Sequence, residues 1–190
     1  MNDTIRHDRD GGFTVIPEKV MELKQAVMGH TELTAIGAKW LKKHPENMTI
    51  PNCSIVAKEL TTATSTGEIP DVIGWCNWIS VLLEIKVSRE DFKKDFKKVF
   101  RINEFLGIGE LRYYLVPAGL INKNEIPKNW GLLYYSENGI EIIKVATAAE
   151  SNLQSERTIL LSIIRRNKEI TYGTQTSRTN IKRTQRMEKG

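Results

Sequence analysis

Along residues 81–87, VLLEIKV, strand alternation sorts the side chains into two rows. Val81, Leu83, Ile85 and Val87 make one row, which must face a core. Leu82, Glu84 and Lys86 make the other. The preceding run, IPDVIGW (69–75), is equally rich in strand formers, and a short turn separates the two. If they pair antiparallel about a turn centred on Asn77-Trp78, Asp71 falls opposite Glu84, with alpha carbons about 4.5–5.5 Å apart and side chains on one face. Lys86 then lies one pleat further along, near Ile69.

The rest of the pattern supplies the surroundings. Residues 17–28 predict a short helix with Pro17 in its first turn. Thr31 caps a second, TELTAIGAKWLKKH, whose Leu33, Ile36, Gly37, Trp40 and Leu41 form a 3.6-residue stripe ending before Pro45. NCSIVAKEL (52–60) predicts a strand and TTATSTG a polar loop. Ser88 and Asp91 have capping-box spacing and open a helix over 89–105. Its apolar face is expected to be Phe92, Phe96, Val99, Phe100 and Phe105, with Lys93, Lys94, Lys97, Lys98 and Arg101 on the other. LRYYLV (111–116) predicts a strand. WGLLYY and IEIIKV predict a hairpin about Asn138-Gly139, and residues 155–166 a closing helix. This order predicts an α/β (mixed α+β) domain, one central mixed sheet with helices packed on it.

Length changes the picture little: 190 residues suffice for one domain with a real core. The expected division is a flexible arm (1–16), one domain (17–164) and a basic, disordered tail (165–190). No apolar run approaches the ~20 residues of a membrane helix, and the polar N-terminus is not a secretory signal. A membrane partner is therefore not expected, and a cytoplasmic location is. Cys53 and Cys76 are expected to be reduced thiols buried as small hydrophobes. His7, His30 and His44 are scattered and are assigned no role. Net charge is +5, but the tail alone carries +6, leaving the other residues near −1. The basic pI is thus a property of the tail.

Candidate chemistry comes from the first pattern. Two carboxylates brought together in a semi-buried place repel one another, unless one binds a proton or a cation sits between them. Lys86 offsets one charge. A divalent ion offsets the rest, and Mg²⁺ suits a site with few carboxylates, completed by water and phosphate. That arrangement serves phosphodiester cleavage: the ion polarises the phosphoryl oxygen and supplies a bound water of lowered pKa, and the amine orients that water. The alternative from spacing alone is a solvated Glu-x-Lys pair on an exposed strand, with Asp71 ending a turn after Pro70. The lysines after the strand read either as a solvated helix face or as phosphate contacts. Trp75 and Trp78 read as packing residues or base-stacking platforms. Trp130, Tyr113 and Tyr114 read as core.

Pro70-Asp71, twelve intervening residues, then Glu84-Ile85-Lys86 followed by a helix resembles the PD-(D/E)XK nuclease superfamily. Five ordered blocks, HTELTAIGAKWL, GEIPDVIGW, LLEIKVSREDFKKDFKK, RYYLVPAGLI and EIPKNWGLLY, span roughly residues 30–145. They are similar to the MmcB-like proteins of bacteria and phages, which are assigned to DNA repair. The resemblance implies a restriction-endonuclease-like core of αβββαβ order and a nuclease acting on DNA in repair or in phage and mobile-element DNA processing. It implies Mg²⁺ or Mn²⁺ held by Asp71 and Glu84 with the Ile85 carbonyl, and Lys86 at the attacking water. It also implies acids on the first helix and on the strand before the Pro-Asp block, matched by Glu32 and Glu59. The competing reading keeps the nuclease fold in a catalytically silent nucleic-acid-binding or interaction subunit. Single- against double-stranded DNA, endo- against exonuclease action, and homodimer formation stay open at this point.

Overall fold

The computed structural model describes residues 4–7, 13–16, 28–44, 49–59, 64 and 66–166. Within the arm, β1 (Thr4–His7) and β2 (Phe13–Ile16) pair antiparallel, with Thr4 opposite Ile16. Residues 17–27 of the helix expected over 17–28 and the tail from residue 167 onward lie outside the described residues.

The main body is a mixed α/β fold built on one six-stranded sheet with helices packed against it. Its strands follow chain order: β3 (Ile55–Lys58), β4 (Val72–Cys76), β5 (Ile79–Ile85), β6 (Leu111–Pro117), β7 (Gly131–Ser136) and β8 (Gly139–Lys144). β3, β4 and β5 are mutually antiparallel, β5, β6 and β7 run parallel, and β8 returns antiparallel. The β4–β5 hairpin pairs Val72 with Leu83 and Ile73 with Leu82, the expected register. Asn77 makes the turn possible by taking a left-handed φ of 52°.

Helix α1 (His30–Lys42) lies on one face. Its cap is Gly29, two residues before the expected Thr31, which lies inside the helix, and no side chain bonds to the helix start. Leu33, Gly37 and Leu41 are buried on the sheet. A Cβ on Gly37 would sit 2.8 Å from a methyl of Leu115, so glycine is what lets the helix come this close. Beneath it lie Val72, Val81, Leu83, Ile85, Tyr113 and Leu115. The opposite face is also covered. Ile73, Leu82, Tyr114, Val116 and Leu132 pack there with Phe92, Trp130 and Ile159, the last from α4 (Leu153–Arg166). β5 is thus an internal strand buried on both faces, and its Glu84 and Lys86 are 2% and 3% exposed. An exposed Glu-x-Lys pair is ruled out.

Two expectations are corrected here. Cys53 and Cys76 are joined as a disulfide, their alpha carbons 4.2 Å apart. The register that sets Ile55 opposite Trp75 brings Cys53, two residues before β3, beside Cys76 at the end of β4. The helix expected over 89–105 is broken into α2 (Arg89–Asp95), α3 (Val99–Ile102) and a 3₁₀ turn (Glu104–Leu106). After Asp95 the backbone tightens to i→i+3 bonds, Lys97 to Lys94 and Lys98 to Asp95. Phe92 stays buried at 3% exposure, but Val99 and Phe105, expected in the core, are 64% and 63% exposed. The break has a second consequence at the site.

Candidate functional site

Three chain segments meet at the C-terminal end of β5. Asp71 stands just before β4, and its Oδ2 accepts the backbone N–H of Ile85 at 2.8 Å. Glu84 and Lys86 leave β5 on the α2 side, beside Tyr114 of β6. Lys86 Nζ lies 3.1 Å from Glu84 Oε2 and 3.9 Å from Asp71 Oδ2. The structure therefore brings the three signature residues together on one face, as alternation and register required.

Other residues complete the cluster, and sequence reasoning missed most of them. Asp95, ending α2, is 1% exposed. Lys86 lies 3.5 Å from its Oδ1 and Lys98 2.7 Å from the same oxygen, while the Tyr114 hydroxyl donates to Oδ2 at 2.8 Å. Arg101, expected on the exposed basic face as a DNA contact, is turned inward with its side chain 2% exposed. It donates from Nε to Asp95 at 2.8 Å and from Nη1 to Glu68 at 2.5 Å, and its Nη2 is 2.8 Å from Glu84 Oε1. The helix break explains this correction, because α3 starts afresh and its Arg101 points back at the end of α2. Glu68 in turn accepts the Ile108 N–H at 2.9 Å. Asp95 carried a signal: it stands three residues after Phe92, on the inward stripe of α2. Arg101 and Glu68 carried none, since their pairing crosses 33 residues.

His30, given no role from sequence, opens α1 and points Nε2 at Asp71 Oδ1, 3.3 Å away, with Nδ1 3.9 Å from Glu59 Oε1. Glu59 follows β3 with a left-handed φ of 45° and donates its N–H to the Asp71 carbonyl at 2.9 Å. It stands at the solvent side of the cluster. Glu32 is exposed on α1, and among the described residues no hydrogen bond or ion pair ties it to Asp71 or Glu84. Lys93, Lys94, Lys97 and Lys98 are exposed along α2 and the turn after it.

Burial and neighbouring charge set the protonation states. Burial first, then the Glu84 charge, raises the Asp71 pKa, against Lys86, the Ile85 N–H and His30. Burial likewise raises Glu68 despite Arg101. For Lys86, burial favours the neutral amine, but Glu84, Asp95 and Asp71 outweigh it and push the pKa up, so it is an ammonium at neutral pH. Burial would raise Asp95, yet Arg101 and Lys86 with their neighbours hold it well below the usual carboxylate range.

Among the described residues no group of three or more His, Cys, Asp or Glu is arranged to hold a metal ion. What converges is a smaller set, Asp71 and Glu84. Glu84 Oε1 is buried and, despite its nearness to Arg101, has no hydrogen bond. Such a set is too small for a soft metal in an all-protein cage. Carboxylates are hard oxygen donors, of the kind a hard ion that keeps most of its water would take.

Fold and site together define a mixed α/β protein with a buried acid–base cluster at the end of a central strand. No protein-family model matches the chain, nor does any curated protein. Among solved structures, a protein of unknown function from Silicibacter pomeroyi is similar, with a TM-score of 0.45 and 21% identity over 59% of this chain and 75% of that one. No helix among the described residues is long and apolar enough to cross a membrane.

Proposed function

We propose that the protein is a metal-dependent deoxyribonuclease with a restriction-endonuclease-like core, hydrolysing DNA phosphodiester bonds in repair or in the processing of phage or mobile-element DNA. The observation that carries this reading is Lys86 Nζ within 3.1 Å of Glu84 and 3.9 Å of Asp71, three charged groups gathered at the end of an internal strand. Burying charge is costly even where it is paired, which supports a functional reason for gathering it there. The order α1, β3, β4, β5, α2, β6, with β6 parallel to β5, supports the core assignment.

Asp71, Glu84 and the Ile85 carbonyl would hold Mg²⁺ or Mn²⁺. When bound, the ion supplies a Lewis acid and a water of lowered pKa. Lys86, kept as an ammonium, orients that water and offsets charge developing on the phosphoryl oxygens; it is not a proton acceptor. Asp71 is held on the Ile85 N–H, so one oxygen is fixed and the other faces His30 and solvent. Exposed Lys93, Lys94 and Lys97 position the DNA backbone without reading its sequence, while Lys98 is drawn to Asp95.

The test is cleavage of single-stranded, double-stranded and branched DNA with Mg²⁺ or Mn²⁺, by the native chain and by Lys86→Ala. Metal-dependent cleavage lost in the variant is expected; its absence from the native chain, or its persistence in the variant, sinks the enzyme reading. One observation favours a second reading, a silent DNA-binding subunit: both oxygens of Glu84 already face cations, Arg101 and Lys86. That protein would bind DNA with a salt slope that shrinks on deletion of residues 165–190, and would cut nothing.

A further inference from the structure

We infer that Arg101 is a positioning residue, an internal counter-ion that Glu84 must leave before it can share a divalent ion with Asp71. This rests on the metal-dependent reading above and concerns how that site is regulated.

The guanidinium is fixed on every side but one. Two of its nitrogens make hydrogen bonds, to Asp95 Oδ2 at 2.8 Å and Glu68 Oε1 at 2.5 Å. Those acids are themselves anchored, Asp95 by the Tyr114 hydroxyl and Glu68 by the Ile108 N–H. The rings of Phe100 and Trp130 lie 4.9 Å and 4.7 Å from its central carbon. The approach of Nη2 to Glu84 Oε1 differs. It is short at 2.8 Å, yet neither atom gains a hydrogen bond from it. The attraction to Glu84 is Coulombic and lacks the directional hydrogen bond that holds each of the other two acids. When a second cation arrives, Arg101 stays and Glu84 turns.

Charge points the same way. Four acids (Glu68, Asp71, Glu84, Asp95) face three cations (Lys86, Lys98, Arg101). The cluster carries one negative charge in excess, and a divalent ion turns that into one positive charge, which suits a phosphodiester. Without the ion, Arg101 keeps Glu84 neutralised and the cluster closed.

The experiment measures Mn²⁺ binding to the full-length protein, without DNA, by titration calorimetry and by the electron paramagnetic resonance of free Mn²⁺. It compares the native chain, Glu68→Gln, Arg101→Lys and the double variant Glu68→Gln/Arg101→Met. The double variant removes one charge of each sign, so the net charge is unchanged and only the local counter-ion is lost. Glu68→Gln, which takes one acid out of the cluster, should bind no more tightly than the native chain. The double variant should bind about tenfold more tightly, although its melting temperature falls; a merely structural arginine lowers both. Arg101→Lys keeps the charge but cannot grip three acids, and should bind about threefold more tightly. It carries the test alone if the double variant does not fold. Native Mn²⁺ binding with equal or weaker binding in the Arg101 variants overturns the inference and leaves the nuclease reading standing. Absence of Mn²⁺ binding from every form, native included, overturns both.

Discussion

The Asp71 carboxylate takes the backbone N–H of Ile85 across the β4–β5 pair, 2.8 Å from Oδ2. This bond continues the hairpin one step past its last backbone pair, Val72 with Leu83. One side chain therefore does two jobs: it extends the sheet and presents a charge beside Glu84. The jobs separate in Asp71→Asn. The amide oxygen still accepts the Ile85 N–H, so a melting temperature within a few degrees of native is expected. The charge is gone, so metal-dependent cleavage should fall at least about a hundredfold, the scale of losing one electrostatic group at a phosphoryl-transfer site. Loss of fold in this variant would show that the charge itself holds the hairpin end.

Asp95 has the opposite balance, since stability depends on its charge. It is 1% exposed and faces Lys86, Lys98 and Arg101. Asp95→Asn leaves those cations short of one partner, and breaking a buried pair in this way costs about 3–5 kcal/mol. Urea unfolding at pH 7 measures it. A loss under 1 kcal/mol would mean that the cluster is solvated in solution.

The same residue sets the acid limb of stability. A carboxyl whose folded pKa is depressed contributes stability that is full above its unfolded value, about 3.9, and is lost as pH falls below that toward the folded value. Asp95 is in this class, because Arg101 and Lys86 outweigh its burial. Glu68 and Asp71 are raised, chiefly by burial. Their folded forms favour the proton, so between their folded and unfolded values stability rises as pH falls. Native unfolding free energy should therefore gain slightly as pH drops toward about 4.5 and fall steeply below about 4. Asp95→Asn should keep the gain and lose the fall. Identical curves for the two proteins would contradict the assignment.

How much of this was legible in the chain depended on range. The β4–β5 register followed from alternation and a two-residue turn, so Asp71, Glu84 and Lys86 could be placed together from 16 residues of sequence. Phe92 and the Ser88 cap were equally local; the cap bond to the Asp91 N–H forms as expected. The break after Asp95 was hidden, because lysines and phenylalanines suit an unbroken helix as well as a broken one. What decides it is tertiary, a buried carboxylate recruiting Lys98 and Arg101. His30 against Asp71, Glu68 against Arg101 and Cys53 against Cys76 are pairings across the chain, which periodicity does not encode.

Close packing between α1 and the sheet gives a prediction independent of function. A Cβ on Gly74 would lie 2.8 Å from Cys53 Sγ and 2.8 Å from a Leu41 methyl. Neither neighbour has room to withdraw, since Cys53 is bonded to Cys76 and Leu41 is fully buried. Gly74→Ala should lose about 1–3 kcal/mol by overpacking, read by thermal or urea unfolding. The neutral outcome would place α1 further from β4 than described.

The exposed lysines make the last prediction, and Arg101 defines its limits. Lys93 and Lys97 are exposed on α2 and the turn after it, and neither is ion-paired among the described residues. Lys94 pairs with Glu90 at 2.8 Å on the open surface, an exposed interaction worth little. Lys98 is committed to Asp95. If this face holds DNA phosphates, each lysine that touches one releases about 0.9 counterion on a duplex, and its loss lowers the salt slope of binding by that amount. Lys93→Ala/Lys97→Ala should therefore flatten the plot of log affinity against log salt by up to about two, with equal effect on unrelated sequences. Stability should change by less than about 0.5 kcal/mol, because both side chains are exposed. Lys98→Ala should also disturb unfolding, through Asp95. An unchanged slope in the double variant would move the DNA path off α2 altogether.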